Sequence, residues 1–111
     1  MAKPVMYFVV NSTLKMGKGK IAAQAGHAAI AVYRSNPRND LFEAWNNGGY
    51  AKVVLAADSV TIEALADRYR RSSERVIDAG FTQVEPGSFT VLGFHVMEAG
   101  SNADLSALKL L

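Results

Sequence analysis

The sequence contains no cysteine among its 111 residues. That absence excludes a disulfide framework, a zinc–thiolate site and a cysteine nucleophile, and it fits a reducing compartment. The longest apolar runs are too short to span a membrane, and the N-terminus lacks the apolar segment of a signal peptide. Since 50% of the residues are hydrophobic and 20% are charged, we expect one globular domain over residues 1–111, located in the cytoplasm.

Acidic residues are also absent from the first third of the chain. The segment Met1–Arg38 holds six basic residues and no acid, and all ten acids lie at Asp40 or later. The basic residues are Lys3, Lys15, Lys18, Lys20, Arg34 and Arg38. An unopposed positive field indicates an anionic partner such as phosphate or nucleic acid, although charge alone equally fits a solvated basic face.

Apolar runs rich in β-branched and aromatic residues alternate with segments of helical pattern. The predicted strands are Val5–Val10, Lys52–Ala57, Arg75–Ala79 and Phe89–Met97. The predicted helices are 19–33, 40–46 and about 59–71, with 105–111 as a last helical turn or a docked tail. Strands that alternate with helices predict an α/β fold. The last two strands are too close for a parallel crossover, so the sheet should be mixed.

A polar loop with two glycines, Met16–Lys20, lies between the first strand and the first helix. Such a position presents backbone N–H groups to a phosphate, but the spacing of a nucleotide-binding P-loop is absent, and a plain surface loop remains the alternative. On the helix, Lys20, Gln24 and His27 share one face. Lys20 in the first turn opposes the helix dipole, which indicates a use for its charge. The alternatives are a buried, hydrogen-bonded His27 and a solvent-exposed Gln24.

The segment Asp78–Gly93 is the second region rich in candidate residues. Asp78 ends a predicted strand, a place where sheet proteins often carry functional side chains. Thr82, Ser88 and Thr90 add hydroxyl groups at short range. The alternative is an ordinary hairpin connection in which Asp78 and Thr82 secure the turn.

Lys15–Ala29, Asp78–Gly93 and the ending Leu108–Leu111 resemble the corresponding motifs of the type 2 peptidyl-tRNA hydrolases. The resemblance implies a compact α/β domain with a mixed four-stranded sheet flanked by helices on both faces. It implies hydrolysis of the ester between a peptide and the 3′ ribose of tRNA, with the acceptor end of peptidyl-tRNA as the bound partner. We expect no cofactor and no metal, and a homodimer stays open.

The same resemblance assigns roles to individual residues by motif position. The implied catalytic residues are Lys20, Asp78, Thr82 and Thr90. The implied substrate-binding residues are Lys15, Lys18, Gln24, His27 and Ser88. Two departures concern substrate preference: Phe81 replaces a usually basic residue, and the His95 region replaces a Gly-Pro turn.

Ester hydrolysis needs an activated water and a group that stabilises the developing oxyanion. No serine-elbow motif or metal-ligand spacing is present, so we expect direct attack by water. Lys20 would stabilise the oxyanion or a phosphate, and Asp78 would orient the water or accept its proton, with His27 as the reserve base. Thr82 and Thr90 would hold the water and the ribose hydroxyls. Close pairing with Lys20 would make Asp78 a weak base. A non-catalytic RNA- or protein-binding module and a hydrolase for another small ester or amide stay open.

Overall fold

The computed structural model of the chain describes residues 3–80 and 84–111. The strands are β1 (Pro4–Asn11), β2 (Lys52–Ala57), β3 (Ser73–Ile77), β4 (Phe89–Phe94), β5 (Met97–Glu98) and β6 (Lys109–Leu110). The helices are α1 (Lys18–Ser35), α2 (Asp40–Asn47), α3 (Ser59–Arg68) and α4 (Ala103–Ser106). A short 3-10 helix, Ser12–Leu14, connects β1 to the loop before α1.

The sheet has the strand order β3-β4-β1-β2-β6, and β5 pairs with β1. Strands β1 and β2 are parallel, whereas β4 is antiparallel to both β1 and β3. The prediction of a mixed sheet is therefore confirmed. The prediction of four strands is wrong, because the sheet of the described residues has six. The two additional strands, β5 and β6, are two residues long each, too short for an alternating pattern to reveal them.

Helices cover both faces of the sheet, as predicted. On one face, Met6, Phe8 and Val10 of β1 pack in a cluster with residues of α1 and α2. On the other face, Val9 of β1 packs with residues of α3 and with Leu105 of α4. This division follows from the alternation of side chains along β1. Every residue of β4 is buried, which is expected of a strand that is covered on both faces.

Some element boundaries differ from the predicted ones. Helix α1 continues to Ser35, and Asn36 ends it because a residue before proline avoids helical geometry. Helix α3 ends at Arg68, and Tyr69 caps it. Strand β3 occupies Ser73–Ile77 instead of residues 75–79, so Asp78 lies just after the strand.

Helix α1 packs closely on β4 because Gly93 has no side chain. A Cβ at Gly93 would lie 2.7 Å from Cγ2 of Val32 and 3.3 Å from Cβ of Ala28. Both α1 residues are fully buried, so neither has free space to move into. The approach of α1 to the sheet also fixes the position of the α1 residues that face β3.

The substitution Gly93→Val is expected to lower the free energy of unfolding by about 1–3 kcal/mol, since overpacking displaces α1 from β4. Urea denaturation measures the change. Gly26→Ala is the matched control, because a Cβ at Gly26 of α1 would meet nothing within 4 Å. This control should raise the free energy of unfolding by up to about 1 kcal/mol, because alanine is preferred over glycine inside a helix by about that amount. Unchanged stability of Gly93→Val would contradict the close packing.

Candidate functional site

The centre of the site is an ion pair between Lys20 and Asp78. Lys20 lies in the first turn of α1, and Asp78 lies directly after β3. The Nζ atom of Lys20 is 2.6 Å from Oδ1 of Asp78, and the two side chains are only 8% and 5% exposed. The fold thus brings together two of the predicted catalytic residues, 58 positions apart in the sequence.

Backbone groups hold the Asp78 carboxylate in place. The N–H of Gly80 donates to Oδ2 of Asp78 at 2.7 Å. The N–H of Asp78 donates to the carbonyl oxygen of Ser88, and its own carbonyl oxygen accepts from Gly87. Gly80 has φ +84°, and a Cβ there would collide with Pro86. Gly80 is not among the predicted site residues, although Asp-Ala-Gly is a pattern typical of an Asx-turn.

The electrostatics of the pair determine the protonation state of Asp78. The hydrogen bond from Lys20 lowers the pKa of the Asp78 carboxyl, burial acts in the opposite direction, and the bond from Gly80 lowers the pKa further. The net shift is downward, so the group is an ionised carboxylate at neutral pH. A carboxylate with a lowered pKa is a weak proton acceptor.

Gln24 connects the ion pair to the sheet. It is buried, and its Nε2 group donates to Oδ1 of Asp78 at 3.3 Å. The hydroxyl of Thr90 donates to Oε1 of Gln24 at 2.6 Å and lies 3.2 Å from the carbonyl oxygen of Val76. The interpretation of Gln24 as a solvent-exposed residue is therefore wrong. Thr90 is fully buried, and its hydroxyl contacts Gln24 and Val76 instead of solvent.

An irregularity in β4 determines where the Thr90 side chain points. Val76 pairs with Val91, whereas the next residue, Ile77, pairs with Phe89. Thr90 is thus the extra residue of a β-bulge. Bulges re-aim side chains and are frequent beside functional sites.

The substitution Thr90→Val is expected to lower the free energy of unfolding by about 1–3 kcal/mol, because it leaves the buried Oε1 of Gln24 without its donor. Chemical denaturation measures this change. Thr90→Ser retains the hydroxyl and is the matched control, with a smaller loss. If Val and Ser have the same effect, the bond to Gln24 contributes nothing beyond packing.

The remaining predicted site residues do not all lie at the cleft. His27 is exposed and lines the same cleft as Lys20. Lys15 and Lys18 are exposed near the start of α1 and are not among the described residues that line the cleft. The Ser88 hydroxyl donates to the carbonyl oxygen of Glu85 at 2.7 Å and thus secures the turn. Thr82 lies outside the described residues.

Phe81 and His95 are the two places where the sequence departs from the family motifs. Phe81 lies outside the described residues. His95 follows β4, and its Nε2 atom is 3.0 Å from the hydroxyl of Ser35. Burial lowers the pKa of His95, and the negative charge of Glu74 partly opposes this shift.

An open cleft of about 820 Å³ lies between α1 and β3. The described residues that line it are Gly19, Lys20, Ala23, Gln24, His27, Ala31 and residues 75–79. Gly19, Ala23 and Ala31 line the cleft but are not among the predicted site residues. Their signal is the four-residue spacing that they share with His27, which places all four on one face of α1.

Residues 3–80 and 84–111 show neither a cluster of metal ligands nor a membrane-spanning helix. These residues contain no group of three or more His, Asp or Glu side chains that could hold a metal ion. None of the helices in this part of the chain is both long and apolar enough to cross a membrane.

The fold and the site define a small α/β protein with a mixed sheet and a buried lysine–aspartate pair in an open cleft. The chain belongs to the family described as peptidyl-tRNA hydrolase PTH2, whose family model matches residues 4–110. This membership confirms the family resemblance of the sequence motifs.

Named relatives span eukaryotes and archaea. The chain is 40% identical to the probable peptidyl-tRNA hydrolase 2 of Caenorhabditis elegans, over 96% of the chain and 36% of the relative. It is 44% identical to the human mitochondrial peptidyl-tRNA hydrolase 2, over 79% of the chain and 52% of the relative. It is 39% identical to the Thermoplasma acidophilum peptidyl-tRNA hydrolase, over 79% of the chain and 80% of the relative.

The chain thus spans between about a third and about half of the length of the two animal relatives. The name of the human relative includes the word mitochondrial. The cytoplasmic location of this chain stays a prediction.

Proposed function

We propose that the chain hydrolyses the ester between a peptide and the 3′ ribose of tRNA in peptidyl-tRNA. The observation that carries this proposal is the Lys20–Asp78 pair in the cleft. The relatives named as peptidyl-tRNA hydrolases support the choice of substrate.

Lys20 is the group that we assign to the developing oxyanion. Its ammonium is held in a fixed position by Asp78 and is largely shielded from solvent. A charge that is preorganised in this way stabilises a transition state more strongly than a mobile charge in water. The same ammonium could instead neutralise a phosphate of the acceptor end.

Asp78 is a positioning residue in this scheme because its lowered pKa makes it a poor base. It orients Lys20 directly. Gln24 donates a hydrogen bond to Asp78, and Thr90 holds Gln24 in place by donating to its side-chain oxygen. We assign the acceptance of the water proton to His27, because it lines the cleft beside Lys20 and is exposed there, and a neutral imidazole can serve as a general base. A contact of Thr82 with water or ribose stays a prediction from the sequence.

Lys15 and Lys18 are the proposed contacts to the phosphates of the acceptor end. Two or three such contacts predict that tRNA affinity falls about 10- to 40-fold between 50 and 200 mM salt, because bound counterions are released. Fluorescence anisotropy with labelled tRNA measures the affinity. An affinity that is flat over this range would argue against tRNA as the ligand.

A comparison of two esters of the same N-acetylamino acid tests the substrate assignment. One is the ester to tRNA, and the other is the ethyl ester. We expect kcat/KM to be at least about 100-fold higher for the tRNA ester, because contacts to the nucleic acid supply binding energy. Equal values would indicate a general small-ester hydrolase.

A further inference from the structure

Strand β3 forms one edge of the sheet, and this edge borders the cleft. Among the described residues, β3 pairs with β4 alone. Residues 75–79 line the cleft opposite α1. The cleft therefore contains both an ion pair and the unpaired side of a strand.

The backbone groups on that side can be identified from the pairing with β4. The carbonyl oxygen of Ser72 accepts from His95, and the N–H of Asp78 donates to Ser88. Groups that bond to a neighbouring strand alternate along an antiparallel strand. Because Ser72 and Asp78 bond toward β4, Val76 also bonds there. The N–H and C=O groups of Arg75 and Ile77 consequently point away from β4.

The described part of the chain offers no hydrogen-bond partner to these outward groups. No hydrogen bond joins the backbone of Arg75 or Ile77 to a described residue outside the β3–β4 ladder. The guanidinium of Arg75 is directed to Glu63 and Asp67 instead. Proteins normally protect such an edge, because it serves as a template for another strand.

We propose that the outer edge of β3 binds the peptide part of peptidyl-tRNA as an additional β-strand. This inference rests on the proposed function. The ester carbonyl must reach Lys20, and the partner of Lys20, Asp78, directly follows the C-terminal end of β3. The C-terminus of the peptide therefore lies at the C-terminal end of β3, and the peptide runs parallel to the strand.

The opposite wall of the cleft leaves room for such a strand. Gly19, Ala23 and Ala31 of α1 face the edge with small side chains or none. The cleft volume of about 820 Å³ lies within the range of about 300–1,000 Å³ that is typical of ligand sites. Pairing through main-chain groups depends little on side chains, so this mode suits a substrate whose peptide sequence varies.

The first test compares substrates of different length on the unmodified protein. The baseline is N-acetylalanyl-tRNA, and the test substrate is N-acetyl-trialanyl-tRNA. The two added residues supply about two hydrogen bonds to the edge. Each bond is expected to raise kcat/KM about 2- to 10-fold, so the longer peptide should react about 4- to 100-fold faster. Replacement of the added alanines by valine or serine should preserve this advantage to within about 3-fold.

Single N-methylation of the peptide amides is the sharper version of this test. In a parallel pair, every second amide of the peptide donates to the edge. Methylation of such an amide should remove most of the length advantage, whereas methylation of the next amide should preserve it. Equal effects at all positions, or no advantage of length, would overturn the proposal.

A pair of variants locates the effect on β3. Ile77→Pro removes the outward N–H and leaves the ladder bonds of Val76 and Asp78 to β4. Ile77→Ala retains the N–H and is the matched control. The ratio of kcat/KM between the trialanyl and alanyl substrates should fall below about 2 in the Ile77→Pro variant. In the Ile77→Ala variant the ratio should remain near about 10. A folded proline variant with the wild-type ratio would overturn the proposal. If the proline variant does not fold, the N-methyl series decides.

The two proposals fail in different ways. If N-acetylalanyl-tRNA is not hydrolysed at all, the proposed function is wrong. If it is hydrolysed but the longer peptide gives no advantage, only the assignment of the β3 edge is wrong.

Discussion

Lys20→Ala is expected to lower the rate of peptidyl-tRNA hydrolysis at least about 100-fold, the usual effect of losing one electrostatic stabiliser. The ammonium is the charge nearest to Asp78 in the cleft, at 2.6 Å. A single-turnover measurement with saturating enzyme isolates the chemical step from binding. Since one phosphate contact at most is lost, tRNA affinity should fall by less than about 10-fold.

The matched control is Lys109→Ala, which removes an exposed lysine of β6. This strand lies at the opposite end of the sheet order from β3, so the rate should stay within about 2-fold of wild type. Circular dichroism and thermal unfolding confirm that both variants fold. A rate of the folded Lys20→Ala protein within about 5-fold of wild type would show that Lys20 does not stabilise the transition state.

Asp78→Asn is expected to lower the rate by a similar factor, at least about 100-fold. Asparagine preserves the shape of the side chain but removes the charge that fixes the Lys20 ammonium. Because the two residues act as a unit, the double variant Lys20→Ala/Asp78→Asn should be scarcely slower than either single variant. Rate losses that multiply in the double variant would indicate independent roles.

The same variant tests the protonation state of Asp78. A carboxyl whose pKa is lowered by folding stabilises the protein at every pH above the ordinary pKa of the group, which is 3.8 for Asp78. This stabilisation is lost as the pH falls through the lowered pKa. The difference in free energy of unfolding between wild type and Asp78→Asn should therefore be constant near neutral pH and narrow below pH 3.8. A difference that already narrows near pH 6 would contradict the lowered pKa.

Much of the fold follows from local sequence pattern. The apolar run of β1 and the alanine-rich pattern of α1 identify the central strand and its covering helix, since burial on both faces requires continuous apolar residues. Helix α3 is also predicted from its pattern, and its buried residues Ile62, Leu65 and Ala66 recur at helical spacing. Strands β5 and β6 are not predicted, since each is defined by pairing with a distant strand and not by its own pattern.

The candidate site is predicted in part. The shared face of Lys20 and Gln24 on α1 follows from helix geometry, and the importance of Asp78 follows from its place at a strand end. The supporting role of Thr90 does not follow, because it depends on a bulge in the pairing of β3 with β4. The unpaired edge of β3 also depends on the strand order, which local pattern does not determine.

Whether the chain hydrolyses peptidyl-tRNA is decided by its turnover of blocked and of free aminoacyl-tRNA. N-acetylaminoacyl-tRNA and the same aminoacyl-tRNA with a free amine are incubated separately, each in at least 20-fold excess over the enzyme, and released tRNA is measured. We expect many turnovers per enzyme on the blocked substrate and little on the free one. Tight stoichiometric binding without release of tRNA would contradict the account and identify the chain as a binding module.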